Sequence, residues 1–226
     1  MNDQGWDRVA ARSSADYPVD TAWYGPDGPS ERELRLLGRL DGRRVLDLGC
    51  GSGQAAIAFA RQGAIVIAVD ASAGQLARAR ERAEREEVRV EWRHGDAADL
   101  AFLRAESIDV AFSAFVVAEV DDVARLFRQV QRVLKPNAPF VFSLEHPMGL
   151  CVSPEGIVEG SYFARGPVSV ERHGELIHLY VHTVSELFIE LSRAGFRVDT
   201  IAEPPPSRPG ARVPTTIVFR ARKEGA

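Results

Sequence analysis

Cysteine is scarce in this chain of 226 residues, with only Cys50 and Cys151 present. They are far apart and lack metal-type spacing. This argues against a disulfide framework and for a reducing compartment. Long apolar runs are also missing, since none approaches the ~20 residues that a membrane span needs. The opening stretch MNDQGWDRVAARSS is polar and has no apolar signal-peptide core. The expectation is a soluble cytoplasmic protein without a membrane partner. A basic excess is lacking too: the formal net charge is -4, whereas nucleic-acid binders usually carry a basic face. Arg78, Arg80, Arg82 and Arg85 cluster, but Glu81, Glu84, Glu86 and Glu87 interleave with them, the pattern of a solvated helix face. No internal repeat is visible. What remains is ordinary globular material, 45% apolar and 27% charged, enough for one domain with a sizeable core.

Short apolar runs alternate with amphipathic stretches. Arg44–Leu48, Ala64–Val69, Val88–Trp92, Ile108–Phe112 and Phe140–Leu144 read as strands, β-branched or aromatic and bounded by turn residues. Val123, Leu126, Phe127, Val130, Val133 and Leu134 form one helical stripe. Asp121 or Asp122 can cap its start, and Lys135-Pro136 ends it. Capping boxes at Ser30/Glu33, Ser72/Gln75 and Thr183/Glu186 mark other helix starts. The last opens a helix with Leu187, Phe188, Leu191 and Ala194 on one face, ended by Gly195. Phe196–Ile201 and Thr215–Phe219 follow as strands; their Pro-rich connection cannot be helical, so they should pair antiparallel. This rhythm predicts an α/β fold, a doubly wound, mostly parallel, Rossmann-like sheet of seven strands with an antiparallel C-terminal strand. The whole of 1–226 reads as one domain, with a helical lid region over 1–40. Residues 147–182 break the rhythm and read as an insertion over the C-terminal ends of the strands.

The stretch Val45–Gln54, VLDLGCGSGQ, ends a strand in an aspartate and then places glycine at alternate positions. In doubly wound sheets, ligands bind beyond the carboxyl ends of the strands. Glycine there lets the backbone take positive φ and lets a ligand approach the main chain. Asp70 falls at the tip of the second strand, where it can accept from ribose hydroxyls. Asp96 follows the third strand, where it can accept from an adenine amino group. Each alone could be a helix cap; three such features on consecutive strands favour a nucleoside ligand. A nicotinamide fingerprint would read G-x-G-x-x-G, whereas here the glycines fall G-x-G-x-G.

At this point the chain resembles the class I S-adenosylmethionine-dependent methyltransferases. The resemblance is carried by Asp47–Gly53, Val69-Asp70, Gly95-Asp96-Ala97, Val133–Pro136, and the region from Ala194 through Arg220. It implies S-adenosylmethionine as cofactor. Gly49, Gly51 and Gly53 would line its methionine part, with Asp47 near the ammonium group. Asp70 and the adjoining Ala71 would hold the ribose. Asp96 and the Ala97 N–H would read adenine, and Ser113 and Ala114 would lie beside the sulfonium. The carboxylate before the glycines suits an ammonium and would repel a dinucleotide's pyrophosphate. The chain departs from the family where Lys-Pro-Gly-Gly is usual: it has Lys135-Pro136-Asn137-Ala138, and Asn tolerates the left-handed turn. Many relatives carry a tyrosine just before the first helix; Ser13-Ser14 stand near that place, leaving Trp6, Tyr17, Trp23 and Tyr24 as aromatics that could close over the cofactor.

The expected reaction is an in-line displacement in which the protein positions and stabilises. His146, beyond the fifth strand beside Glu145, is the first candidate for a base or acceptor-orienting residue; the alternative is a histidine that fixes the turn before Pro147. Glu119 is a second candidate, or else a loop carboxylate. In IHLYVH, His178, Tyr180 and His182 share one face that would suit an acceptor pocket, with Leu179 and Val181 facing the core. No third ligand with suggestive spacing supports a metal site there. The acceptor expected is a small molecule. The alternatives are methyl transfer to protein or RNA, or a domain that binds the cofactor without catalysis.

Overall fold

The computed structural model describes residues 2–12, 17–26, 28–153, 156–164, 166–206, 210 and 212–225. Five parallel strands, β1 (Arg44–Leu48), β2 (Ile65–Asp70), β3 (Glu91–His94), β4 (Val110–Ala114) and β5 (Pro139–Glu145), join β8 (Phe196–Ala202) and β9 (Thr216–Lys223) in one sheet. Its order is β3-β2-β1-β4-β5-β9-β8. β9 runs antiparallel to both β5 and β8, as the Pro-rich connection requires. The order reverses between β1 and β4, so a crevice opens above their carboxyl ends.

Side-chain alternation builds both cores at once. Val45, Val66, Val110, Val141 and Val218 face one layer, with α3 (Gln54–Arg61) and the segment around Leu36, Leu37 and Leu40. Leu46, Ile67, Ala111, Phe142 and Phe219 face the other, against α5 (Val123–Val133) and α6 (Val184–Arg193). Phe142 stacks on Phe219 at 5.1 Å between ring centroids and packs on Phe127 of α5 at 5.6 Å. Each fully buried phenylalanine contributes roughly 1.5–3 kcal/mol by leaving water. α5 buries the stripe foreseen, and Asp122 caps it by accepting the Arg125 N–H at 2.8 Å.

Several boundaries differ from expectation for local reasons. Val88 closes the end of α4 (Ala73–Arg85) by donating to Ala83, and Glu87 sits at φ 55, so β3 starts only at Glu91. Ile108 makes an isolated bridge with Leu134, and β4 starts two residues later. Ser72 accepts from Gln75 N–H at 3.0 Å, but its own N–H goes to Asp70 Oδ1 rather than to a Gln75 side chain. The Thr183 box is reciprocal; yet Phe188 of α6 is exposed, and the helix is anchored by the buried Leu187 and Leu191 with Val184 and Ala194 packed beside them. Asn137 takes φ 62, which preserves the turn before β5.

Two elements stand over the crevice. α1 (Asp3–Arg12) packs on α4, where Asp7 Oδ1 accepts from Ser72 Oγ at 2.6 Å and Gly74 N–H at 2.9 Å. A separate hairpin, β6 (Pro167–Arg172) and β7 (Glu175–Tyr180), lies within the irregular 147–182 region. Glu175 ties it to α1 through Arg8 and Arg12, both at 2.7 Å. A four-residue helix, α2 (Glu31–Leu34), precedes β1. No helix among the described residues is long and apolar enough to cross a membrane.

Candidate active site

A cavity of about 360 Å³ lies between the strand tips and the α1–hairpin cover. Asp47, Gly49, Gly51, Asp70, Ala71, Asp96, Ala97 and Ala114 all line it. The turn after β1 is bent by the Gly49 and Cys50 N–H groups, which donate to Val69 O at 2.8 and 3.0 Å. Gly51 adopts φ 51, and a Cβ built on it would meet no atom within 4 Å. Its bare face therefore borders open space.

Asp47 is 1% exposed, and its Oδ2 has no partner among the described residues. Burial, and then the charge of Asp70, push its carboxyl up to about 7, against the pull of the Ala56 N–H. A buried carboxylate oxygen without a donor is costly, and a cationic group in the cavity would satisfy it. Asp70 is differently placed. Its Oδ2 accepts the Gly51 N–H and its Oδ1 the Ser72 N–H; burial raises its carboxyl and these bonds oppose the rise. Asp96 Oδ1 accepts the Ala98 N–H at 2.8 Å, which holds the loop after β3 against the cavity. Cys50 also lines the cavity, but burial and the two aspartates push its thiol up, so it is no thiolate nucleophile.

Three expected residues fall outside the cavity wall. Gly53 is needed for packing: a Cβ there would lie 2.8 Å from Trp92. Ser113 is buried and donates to Leu48 O at 3.0 Å, so it pins β4 to β1. His146 is not a cavity residue either. Its Nδ1 accepts the Met148 N–H at 3.0 Å, which places the proton on Nε2, 2.8 Å from Glu203 Oε1. With both ring nitrogens so engaged, it holds the turn after β5 to the end of β8 and has no lone pair for a substrate proton. The histidine face of β7 also points the other way. His178 and Leu176 are exposed, whereas Ile177 and Leu179 line the cavity. Of the aromatics, Trp6, Tyr17 and Trp23 line it, while Tyr24 is fully buried and donates to Glu31. Ser13 and Ser14 lie outside the described residues.

The structure adds residues that sequence reasoning passed over or ranked low. Glu119, in the 3₁₀ turn after β4, lines the cavity; its Oε2 accepts Asn2 Nδ2 at 2.9 Å and Trp6 Nε1 at 2.8 Å. Burial, more than any neighbouring charge, pushes its carboxyl up to about 7. Glu145 Oε1 accepts from Arg172 Nη2 at 2.8 Å. Phe115 lines the cavity at φ 63, and Gly25 lacks a side chain where a Cβ would stand 2.0 Å from its ring. Positive φ at a phenylalanine is strained, and the local signals for this cavity were Asp47, Asp70, Asp96 and the glycines.

Comparison with known proteins agrees with this geometry. A family profile described as a methyltransferase domain matches residues 46–142. A ubiquinone biosynthesis O-methyltransferase of Azorhizobium caulinodans is 32% identical over 171 residues, 75% of this chain and 65% of that protein's own length. The match therefore spans less than two thirds of that relative. The crystal structure of an S-adenosylmethionine-dependent methyltransferase from Mesorhizobium loti is 31% identical, with a TM-score of 0.73, and the alignment covers 88% of this chain and 100% of that one. The [4+2]-cyclase SpnF shares the fold alone, at TM-score 0.70 and 21% identity over 99% of this chain and 95% of its own. From the profile, the Mesorhizobium match and the seven-stranded sheet, this chain belongs to the class I S-adenosylmethionine-dependent methyltransferases.

Proposed function

We propose that the chain transfers the methyl group of S-adenosylmethionine to a small-molecule acceptor. One observation carries the reading: the buried, unpartnered Oδ2 of Asp47 lies in the wall of the same cavity as the bare Gly51 and the strand-tip Asp70. A ligand with an ammonium at one end and a ribose further along suits that sequence of groups. Asp47 would sit beside the ammonium, and Gly49 and Gly51 would admit the amino-acid part. Asp70 and Ala71 would hold the ribose; Asp96 and Ala97 would read the adenine edge. Ala114 would flank the sulfonium. When bound, the cofactor supplies a methyl group already activated on positive sulfur.

The chain's own work is then placement and exclusion of water. α1 and the β6–β7 hairpin serve as the lid, with the Arg8 and Arg12 bridges to Glu175 holding one to the other. The name of the Azorhizobium relative, an O-methyltransferase of ubiquinone biosynthesis, favours a small molecule over protein or RNA. So does the apolar surface that Ile177 and Leu179 bring to the cavity. The test is calorimetric titration with S-adenosylhomocysteine, followed by mass spectrometry of S-adenosylmethionine turnover on adding a metabolite pool. Tight binding and product formation support the reading. Binding with no turnover on any pool would make the chain a cofactor-binding domain, and absence of binding would remove the cofactor.

A further inference from the structure

We propose that the part of the cavity where α1, the turn after β4, the tip of β5 and the β6–β7 hairpin meet is the acceptor subsite. There Glu145 and Glu119 receive an O–H or N–H of the acceptor, and Glu119 is the base that takes its proton. The proposal rests on the methyltransferase reading above and adds the acceptor's chemical class to it.

Two observations carry it independently. Glu145 is 7% exposed and lines the cavity, yet its Oε2 is buried with no partner among the described residues. Its other oxygen is held by Arg172, so the side chain is fixed with one acceptor oxygen unused. An ionised carboxylate can only accept; the missing partner is therefore a donor. Glu119 is the second observation. Two donors, Asn2 Nδ2 just before α1 and Trp6 Nε1 within it, reach the same oxygen, Oε2. Asn2 Nδ2 also donates to His178 O, and Asn2 Oδ1 accepts the His178 N–H, so the carboxylate is braced from helix and hairpin together. Burial and the charge of Glu145 weaken the carboxyl as an acid and make it a fitting base near neutrality.

The surroundings narrow the class further. Val120, Ile177 and Leu179 give the cavity apolar surface beside these groups. Arg172 is committed to Glu145, so an acceptor bearing a carboxylate or phosphate here would face two carboxylates with one cation already paired. His173, at the hairpin turn, also lines the cavity. A compact apolar body carrying a hydroxyl or amine fits. In the transfer, the acceptor's oxygen or nitrogen lone pair forms the bond to the methyl carbon. The carbon–sulfur bond breaks with its electrons going to sulfur, and the acceptor's proton passes to Glu119.

Three probes that share one ring test this: benzyl alcohol, benzylamine and benzoate, titrated calorimetrically into the protein with and without S-adenosylhomocysteine. The alcohol and the amine should bind about tenfold or more tightly than benzoate. Glu145→Gln and Glu119→Gln should each shrink that preference about fivefold or more. The glutamine at 119 can still accept from Asn2 and Trp6, so folding is retained, and thermal melting checks it. With any substrate found by turnover, Glu119→Gln should lower kcat more than it raises KM. Benzoate binding as well as the protic probes, no binding of either protic probe at about 10 mM, or an unchanged preference in both variants would overturn the proposal. Failure of S-adenosylhomocysteine to bind is a separate outcome. It would count against the methyltransferase reading, while the contrast between alcohol and benzoate would still report on the subsite.

Discussion

Asp70 braces the turn that it faces: its Oδ2 accepts the Gly51 N–H at 2.7 Å from the tip of the neighbouring strand. Its other oxygen accepts the Ser72 N–H at 2.8 Å, so one carboxylate fixes both the glycine turn and the start of α4. Each oxygen keeps a further lone pair for a hydroxyl. Asp70→Ala should therefore weaken S-adenosylhomocysteine binding about 100-fold, the scale of two lost charge-assisted bonds, and should also lower the melting temperature. Calorimetry and thermal melts check this; an unchanged dissociation constant would take Asp70 out of the site.

The glycines of the turn should separate by phenotype. Gly51→Val directs its side chain into open space, where no atom lies within 4 Å. The left-handed φ costs about 1–2 kcal/mol, so the variant should fold and fail to bind cofactor. Gly49→Ala sets a Cβ 2.0 Å from Val116, and the backbone must move to admit it. Its main effect should be a stability loss of roughly 1–3 kcal/mol. Denaturant melts with parallel titrations distinguish the two. Normal cofactor affinity in Gly51→Val would contradict the placement of the methionine part.

What could be read from the chain was what is local. Strand alternation, the α5 stripe and the glycine turn depend on neighbours a few residues apart, and they place Asp47, Gly51 and Asp70 where the cavity is. Facing was harder. Glu145 and His146 are adjacent at the end of β5, and consecutive extended residues point to opposite sides. Only one could face the cavity, and it is Glu145. Ser113 and Ala114 split in the same way, with Ser113 turned to Leu48. Glu119 depends on Asn2 and Trp6, more than a hundred positions away, and no spacing rule reaches that far.

His146 should behave as a structural residue. Replacing it with alanine removes the bonds to Met148 N–H and Glu203, and it empties a site that is 5% exposed. The expected cost is about 1–3 kcal/mol in urea unfolding, with cofactor affinity near that of the parent. A large drop in turnover with stability unchanged would return His146 to the chemistry.

The pH dependence of the ligand-free protein should carry the mark of Asp47 and Glu119. Both carboxyls are pushed up to about 7, each mainly by burial. The folded state then binds their protons more tightly than the unfolded chain does. Their contribution is complete below the ordinary carboxylate range and is lost as pH rises through about 7. Asp70 and Glu145 are raised by burial as well and act in the same direction. Asp7, Asp109, Asp199 and Glu175 are lowered by hydrogen bonds and neighbouring cations, which outweigh burial, so their contributions disappear only in acid, below this window. The melting temperature of the free protein should therefore fall between about pH 4 and about pH 7 and level off above, and Asp47→Asn should reduce the slope. An ammonium placed beside Asp47 favours its charged form, so S-adenosylhomocysteine should bind more tightly as pH rises through about 7, with release of a proton. Titrations in buffers of different ionisation enthalpy measure that proton directly. A melting temperature that is flat across the window, or a slope that Asp47→Asn leaves unchanged, would place the buried proton elsewhere.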